Sequence, residues 1–280
     1  MIVVGVDGSV TARAAVEWAV NDALRMKEPL RIVHAVDRSP YQIGKFPSAA
    51  LPDTLLREGQ RILREALALA RERQPGVEVT MEDIEGAPAE VLRAQAGDAT
   101  EIVLGSRGLG GFVGALLGSV STHVAGRVRC PVVVVRGDHR PVLGEIVVGV
   151  DDSPQCEPAM AYAFRQAAVR GSVLRVVHAW QLPVHAFAPE VVYGMDEVRT
   201  AQYQVVLDRL ETFRKHYPRV SVVEDVQQGL PVDALTDASA RADLLVVGSH
   251  GHGALGAMLL GSVSRGVLHH VRCPVAIVRQ

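Results

Sequence analysis

Val3-Val-Gly-Val-Asp7 and Val147-Val-Gly-Val-Asp151 are the same five residues placed 144 positions apart, and their repetition decides the architecture. Working outward, His34-Ala35 returns as His178-Ala179 at the same offset. Gly86-x-Pro88 returns as Gly229-x-Pro231, Gly118-Ser-Val-Ser121 as Gly261-Ser-Val-Ser264, and Arg129-Cys-Pro-Val132 as Arg272-Cys-Pro-Val275, each 143 apart. Matches in one order across whole halves mean a duplicated domain, because a solenoid would repeat every ~20–50 residues. The 280 residues therefore divide into domains 1–140 and 141–280, near the usual domain size of about 100–150 residues. The boundary lies in Gly137–Gly144, where Gly, Pro and polar residues separate two apolar runs.

Within each half, short β-branched runs alternate with helical patterns. Ile2–Val6 reads as a buried strand. Thr11 is a candidate cap for a helix to about Met26, with Ala15, Trp18, Ala19 and Ala23 on one stripe. Leu30–Val36, Val77–Ile84, Ile102–Leu104 and Val132–Val135 read as further strands. Leu51–Arg73, a segment from Pro88 to about Gly97, and Ser119–Arg127 read as helices. The second half predicts strands at Ile146–Val150, Leu174–Ala179, Ser221–Val226, Leu244–Val247 and Val275–Val278. Mostly apolar strands alternating with helices imply an α/β fold, here two tandem doubly wound five-stranded parallel-sheet domains covered on both faces. Ligands of such sheets sit outside the carboxyl ends of the strands, where the winding reverses.

Composition narrows the function. A net charge of −2 without a basic tract argues against a general nucleic-acid or anionic-membrane surface. No signal-peptide pattern and no long apolar run is present, so a cytoplasmic location is the expectation. Cys130, Cys156 and Cys273 suit neither a disulfide framework nor a four-ligand zinc site. Cys130 and Cys273 read as small buried side chains, and Cys156, which has no counterpart, as an exposed thiol. His250, His252, His269 and His270 do not form a convincing metal set, since the last two end a helix where a cation is favoured anyway.

The chemistry lies in a loop that both halves share. Gly105-Ser-Arg-Gly108 is followed after nine residues by Gly118-Ser119, and Gly248-Ser-His-Gly251 after nine residues by Gly261-Ser262. Each G-x2-G-x9-G-S stretch runs from a strand into a helix. Glycine there permits positive φ and close approach of a ligand. The helix start offers unpaired amides with a partial positive charge. Phosphate oxygens can accept from those amides and from the hydroxyls of Ser119, Ser121, Ser262 and Ser264. An ordinary strand-to-helix loop with Ser119 as a cap is the plainer alternative. Gly5 and Gly149 lie in the strand-one motif and join the candidate set. Asp7 and Asp151 end that strand, where a carboxylate can bind ribose, a base or phosphate-bound Mg2+, or can simply cap the next turn. Ala35 and Ala179 leave room for an adenine edge to meet the backbone. Segments 181–196 and 37–53 are candidates for flaps over the sites.

These residues resemble the universal stress protein family in its tandem-domain actinobacterial form, nearly end to end. The likeness rests on V-V-G-V-D, His-Ala after strand two, the glycine loop followed by Val-Ser, and R-C-P-V before strand five. It implies strand order 3-2-1-4-5, as in Rossmann-like sheets, and one ATP per domain, with Mg2+ as a candidate companion. On this resemblance Asp7 and Asp151 lie against the nucleotide, and Ala35 and Ala179 meet adenine. Gly105, Gly108, Gly118, Ser119, Val120 and Ser121 surround ribose and phosphates, as do Gly248, Gly251, Gly261, Ser262, Val263 and Ser264. The family resemblance also implies a homodimer through strand five. A regulatory protein partner, unidentified, is consistent with a stress-response regulator.

An enzyme and an empty scaffold are the competing readings. A Walker loop uses a lysine on the β/γ-phosphates, whereas Val follows Gly118-Ser119 and Gly261-Ser262. An S-G-G-x-D-S adenylating loop is disfavoured, because the first loop reads Val-Asp-Gly-Ser. Slow ATP hydrolysis or phosphotransfer stays open, with no catalytic residue singled out. Two intact glycine motifs argue against a scaffold without nucleotide. Glu at Gly108 and Gly251 is expected to block the cradles while leaving the fold largely intact. Thr100 and Asp243 differ at equivalent positions before strand four, outside the motif.

Overall fold

The computed structural model describes residues 1–37, 51–109, 117–137, 141–182, 194–251 and 260–279, with the side chains of 51–53 left aside. The candidate flaps fall chiefly on 38–50 and 183–193, outside the described residues. Two compact units part at Pro141–Val142, with Pro274–Ile277 grouped with the first.

The first unit runs β1 (Ile2–Val6), α1 (Val10–Met26), β2 (Leu30–Val36), α2 (Leu51–Arg73), β3 (Val79–Glu85), α3 (Pro88–Gln95), β4 (Glu101–Gly105), α4 (Ser119–Ala125) and β5 (Val132–Val135). The strands stand in the order β3-β2-β1-β4-β5, and these four neighbouring pairs are parallel. Val4 is the hub of the register, opposite Ile32 on one side and Val103 on the other. Ile2, Val3, Val4, Ile102 and Val103 are wholly buried. The face of α1 that meets them is Ala15, Val16, Ala19, Val20 and Ala23, and its small side chains bring the helix close to the sheet. Trp18 is only half-buried, beside this stripe rather than in it. Helices α1 and α2 pack on each other, as do α3 and α4, which gives two helix layers.

The second unit runs β6 (Glu145–Gly149), a 3-10 turn (Pro154–Cys156), α5 (Glu157–Arg170), β7 (Val173–Trp180), α6 (Met195–His216), β8 (Val222–Gln228), α7 (Pro231–Ser239), β9 (Leu244–Gly248) and α8 (Ser262–His270), with β10 (Val275–Val278) the last strand of the repeat. The order β8-β7-β6-β9-β10 repeats that of the first half. Its helix layer uses larger side chains. Phe164 on α5 stacks on Phe213 of α6 at 5.1 Å between ring centres.

The edge strands depart from the expected apolar runs. β3 and β8 start later than the hydropathy pattern suggests, and no residue of either is fully buried. Glu85 ends β3 exposed, a charge that discourages further pairing. The cap of α1 also differs. Ser9, not Thr11, accepts from the Ala12 amide, while Thr11 is buried and donates to the Arg107 carbonyl.

Thr100 and Asp243, the pair set aside as a local difference, have parallel jobs. The Thr100 hydroxyl accepts from the amino terminus of Met1 at 3.0 Å. The Asp243 carboxylate accepts from the Leu143 and Gly144 amides at 2.7 and 2.8 Å. Each ties down the chain just before the first strand of its repeat.

The ends of α1 and α5 are matched as well. Both close on a left-handed residue, Gly171 at φ 64° after α5 and Lys27 at φ 55° after α1. A non-glycine residue carries a steric cost of roughly 1–2 kcal/mol there. Lys27→Gly should therefore raise the unfolding free energy by about 0.5–1 kcal/mol once the greater freedom of the unfolded chain is offset. Urea titration of the two proteins checks it, with an unchanged or lower midpoint as the contrary result.

Candidate functional site

Strand β1 and strand β4 are neighbours, yet their following segments leave in different directions, α1 into one helix layer and the glycine loop toward α4 in the other. A crevice opens between them at the carboxyl ends. In the first unit it is a cavity of about 330 Å3, and in the second about 320 Å3. Both sit in the ~300–1,000 Å3 range of small-molecule sites.

The first cavity gathers Gly5 and Asp7 from the end of β1, Ala35 from β2, Gly105 and Gly108 from the exit of β4, and Gly118–Ser121 at the start of α4. The second gathers the matching Gly149, Asp151, Ala179, Gly248, Gly251 and Gly261–Ser264. All the positions singled out from the sequence thus line one of the two cavities.

Asp7 is held from both sides. Its Oδ1 accepts from the Ser9 amide at 3.0 Å, an Asx-type turn. Its Oδ2 accepts from the Leu109 amide at 3.0 Å, across to the glycine loop. The hydroxyls of Ser9 and Thr11 both donate to the Arg107 carbonyl, so three side chains from the turn after β1 and the start of α1 grip the glycine loop. Asp151 makes the same turn in the second unit. Its Oδ1 accepts from the Ser153 amide at 3.1 Å and from the Ser153 hydroxyl at 2.5 Å.

The glycines act by absence of bulk, not by unusual φ. Among the described residues, positive-φ glycines are Gly8, Gly86, Gly144 and Gly171, and the loop glycines are not among them. A Cβ on Gly105 would lie 2.6 Å from Thr11 Oγ1 and 2.8 Å from the Ala12 nitrogen. A Cβ on Gly108 would lie 2.5 Å from Asp7 Oδ2, and one on Gly251 would strike Asp151 Oδ2 likewise. Glu at these two positions would therefore displace the aspartates as well as fill the cavity, so that substitution does not isolate the loop.

The helix starts also differ in detail from the expectation. Gly118 and Gly261 are the cap residues, without a side-chain cap bond, and Ser119 and Ser262 are the first helical residues, exposed at the cavity. The Ser121 hydroxyl is buried and donates to the Gly118 carbonyl at 3.1 Å. The Ser264 hydroxyl reaches the Ser249 and Gly261 carbonyls at 2.9 and 3.0 Å. A hydroxyl has one proton to give, so these two serve the loop. They reinforce the Gly118-to-Ser106 and Gly261-to-Ser249 backbone bonds, at 2.7 and 2.8 Å, that close each loop on its strand. The first-turn amides and the Ser119 and Ser262 hydroxyls are the donors left for an anion.

Several lining residues were not singled out from the sequence. Pro88 and Leu92 on α3, and Pro231 and Leu235 on α7, form an apolar wall in each cavity. The repeated Gly-x-Pro was their signal, with Leu one helical turn beyond each proline. Ala12 and Cys156 occupy equivalent wall positions. Cys156 is buried, contrary to the exposed thiol expected, with its Sγ 3.5 Å from the Asp151 carbonyl oxygen. Cys273 is buried as expected, whereas Cys130 is half-buried. Arg107 lines the first cavity and His250 the second, with His250 Nδ1 3.1 Å from Ser249 Oγ.

The model of the universal stress protein family matches residues 1–136 and again 144–279. The chain belongs to that family. Universal stress protein Rv2005c of Mycobacterium tuberculosis is 37% identical, with 100% of this chain and 97% of that relative covered. Universal stress protein Rv2623 of the same organism is 34% identical over 100% and 96%. A crystal structure of a universal stress protein from Archaeoglobus fulgidus has a TM-score of 0.71 at 20% identity, covering 100% of this chain and 96% of that one, and shares its fold.

Two outcomes follow from the geometry. Gly108→Ala should lower stability by about 1–2 kcal/mol, as the new methyl drives the Asp7 carboxylate off the Leu109 amide. Gly118→Ala should cost less than about 1 kcal/mol, since its Cβ would meet nothing closer than 3.4 Å. Equal losses in thermal or urea unfolding would contradict this account.

Burial raises the Cys156 thiol and pushes Cys130 up to about 11. A raised thiol pKa leaves less thiolate at a given pH, partly offset by stronger nucleophilicity. At about pH 9, iodoacetamide should alkylate both several-fold more slowly in the native protein than in urea. Equal native and unfolded rates would be inconsistent with buried thiols.

Proposed function

We propose that each half of this universal stress protein binds one ATP in the crevice between strand one and the glycine loop, and that occupancy serves stress-response regulation rather than metabolism. The observation that carries the reading is the recurrence of one cavity, built from matching elements, in both halves of the chain. Its donors sit at a helix start, where a polyphosphate is favoured by unpaired amides and the helix dipole. Its apolar wall of Pro88 and Leu92, or Pro231 and Leu235, suits the face of a base. Asp7 and Asp151 are pinned at the rim, where a carboxylate accepts from ribose hydroxyls or joins Mg2+ to the phosphates.

Regulation fits better than turnover because the described loop residues hold no lysine to neutralise transferring phosphate. Arg107 at the first site and His250 at the second give the two phosphate ends different side chains, a guanidinium and an imidazole. The two sites are therefore expected to differ in affinity. A cytoplasmic homodimer with a protein partner that reads the occupied state completes the proposal.

Calorimetry on the full chain with Mg-ATP should give two sites per chain. Asp7→Ala should weaken one of them by about 1–3 kcal/mol and leave the other in place. Ser119→Glu, which sets a carboxylate among the amides without touching Asp7, should abolish the first site. The absence of any heat, together with nucleotide-free protein on purification, would refute the proposal. Phosphate release at appreciable single-turnover rates would turn the reading toward an ATPase.

A further inference from the structure

Each half carries a histidine at the end of its second strand that the ATP reading leaves without a task. The His34 Nδ1 lies 2.8 Å from the Val6 carbonyl oxygen, and the His178 Nδ1 lies 3.0 Å from the Val150 carbonyl oxygen. Those carbonyls belong to the residues just before Asp7 and Asp151. A carbonyl only accepts, so Nδ1 carries the proton in both rings.

We infer that His34 and His178 are positioning residues for the two sites, setting the direction in which Asp7 and Asp151 leave strand one. This rests on the ATP reading above. The peptide unit is planar, so the plane of the Val6 carbonyl is also the plane of the Asp7 amide. Holding the oxygen on the second strand therefore fixes where the Asp7 Cα departs. The carboxylate is held from its other end by the Ser9 and Leu109 amides. Asp7 is thus fixed at its backbone by strand two and at its side chain by the glycine loop. The same backbone bond recurs in the second half, where the Ser153 amide takes the role that the Ser9 amide has beside Asp7.

The two rings have different surroundings, and the shared bond survives the difference. Against the far side of His178, Gln202 Oε1 approaches Nε2 at 2.8 Å. Turning the amide over would present its NH2 to Nε2 instead, so Nδ1–H persists in either charge state of the ring. His34 instead pairs in register with Asp83 of β3, whose carboxyl is raised by burial and drawn back by His34. Gly59 of α2 makes room there, since a Cβ on it would lie 2.9 Å from the His34 ring and 2.7 Å from Asp83 Oδ2. Neutral or protonated, an Nδ1–H donor remains available. What the halves share is the donor at the δ position.

That atom can be tested without removing bulk alone. Asparagine places its amide nitrogen one bond beyond Cγ, where Nδ1 sits, whereas glutamine places its donor one bond further. The experiment is Mg-ATP calorimetry on the full chain for the wild type and for His34→Ala, His34→Asn and His34→Gln, with the second site as internal reference. The expected result is a loss of roughly ten-fold in first-site affinity for Ala and Gln, recovery to within about three-fold for Asn, and an unchanged second site. Wild-type affinity in a folded His34→Ala protein, or equal affinities for Asn and Gln, would overturn the inference while leaving the ATP reading intact. Should His34→Ala fail to fold, the Asn and Gln comparison decides alone. Failure of the wild type to bind ATP would remove both.

Discussion

The adjacency of β1 and β4 is the constraint on which the rest of each unit depends. Two parallel strands lying side by side must be joined by long crossovers, and here the chain leaves one strand toward α1 and the other toward α4. Among the described residues, neither exit covers the gap between the two strand ends. The crevice is therefore a consequence of the winding order, fixed once Ile2, Val3 and Val4 pair with Glu101, Ile102 and Val103. Bulk at the strand ends would fill it, which is why glycine, alanine and aspartate collect there. Asp7 turns this gap into a defined site, since its carboxylate joins the two loops that the strands send apart.

Much of this was legible because duplication separates constraint from accident. A short glycine spacing in one copy has little specificity, but a second copy placed after the same strand and before the same helix gave the position of both cavities. Strand and helix locations follow from apolar runs and their periodicity, most closely where most of the run is buried, as in β1, β2 and β5. The edge strands β3 and β8 were read less well. One side of each faces water, so polar residues interrupt the run and its ends lose their marker.

What stayed hidden depends on contacts across the fold. The glycine loop suggested positive φ, yet the restriction at Gly108 comes from Asp7, distant in sequence, and that at Gly105 from Thr11 and Ala12. Ser121 and Ser264 had the right chemistry for a phosphate, but their protons go to carbonyls of their own loops. Cys156 looked exposed because the first copy has alanine at that place, whereas wall positions tolerate either side chain. Thr100 and Asp243 looked like drift, although each fastens the start of strand one with a different set of donors.

The divergence of the halves has a pattern that follows from this division of labour. Positions that set the crevice are the same in both copies: the strand-one aspartate, the loop glycines and the δ-nitrogen donor on strand two. Positions that only touch its contents are freer: Pro88, Leu92 and Ser119 keep their counterparts Pro231, Leu235 and Ser262, whereas Ala12 stands against Cys156 in the wall and Arg107 against His250 at the loop. A residue that shapes the backbone is coupled to many neighbours, so substituting it disturbs several contacts at once. A residue that only lines the wall changes the local charge or volume and little else. Two cavities of nearly equal size, one lined by Arg107 and the other by His250, are what such uneven coupling produces on a common frame.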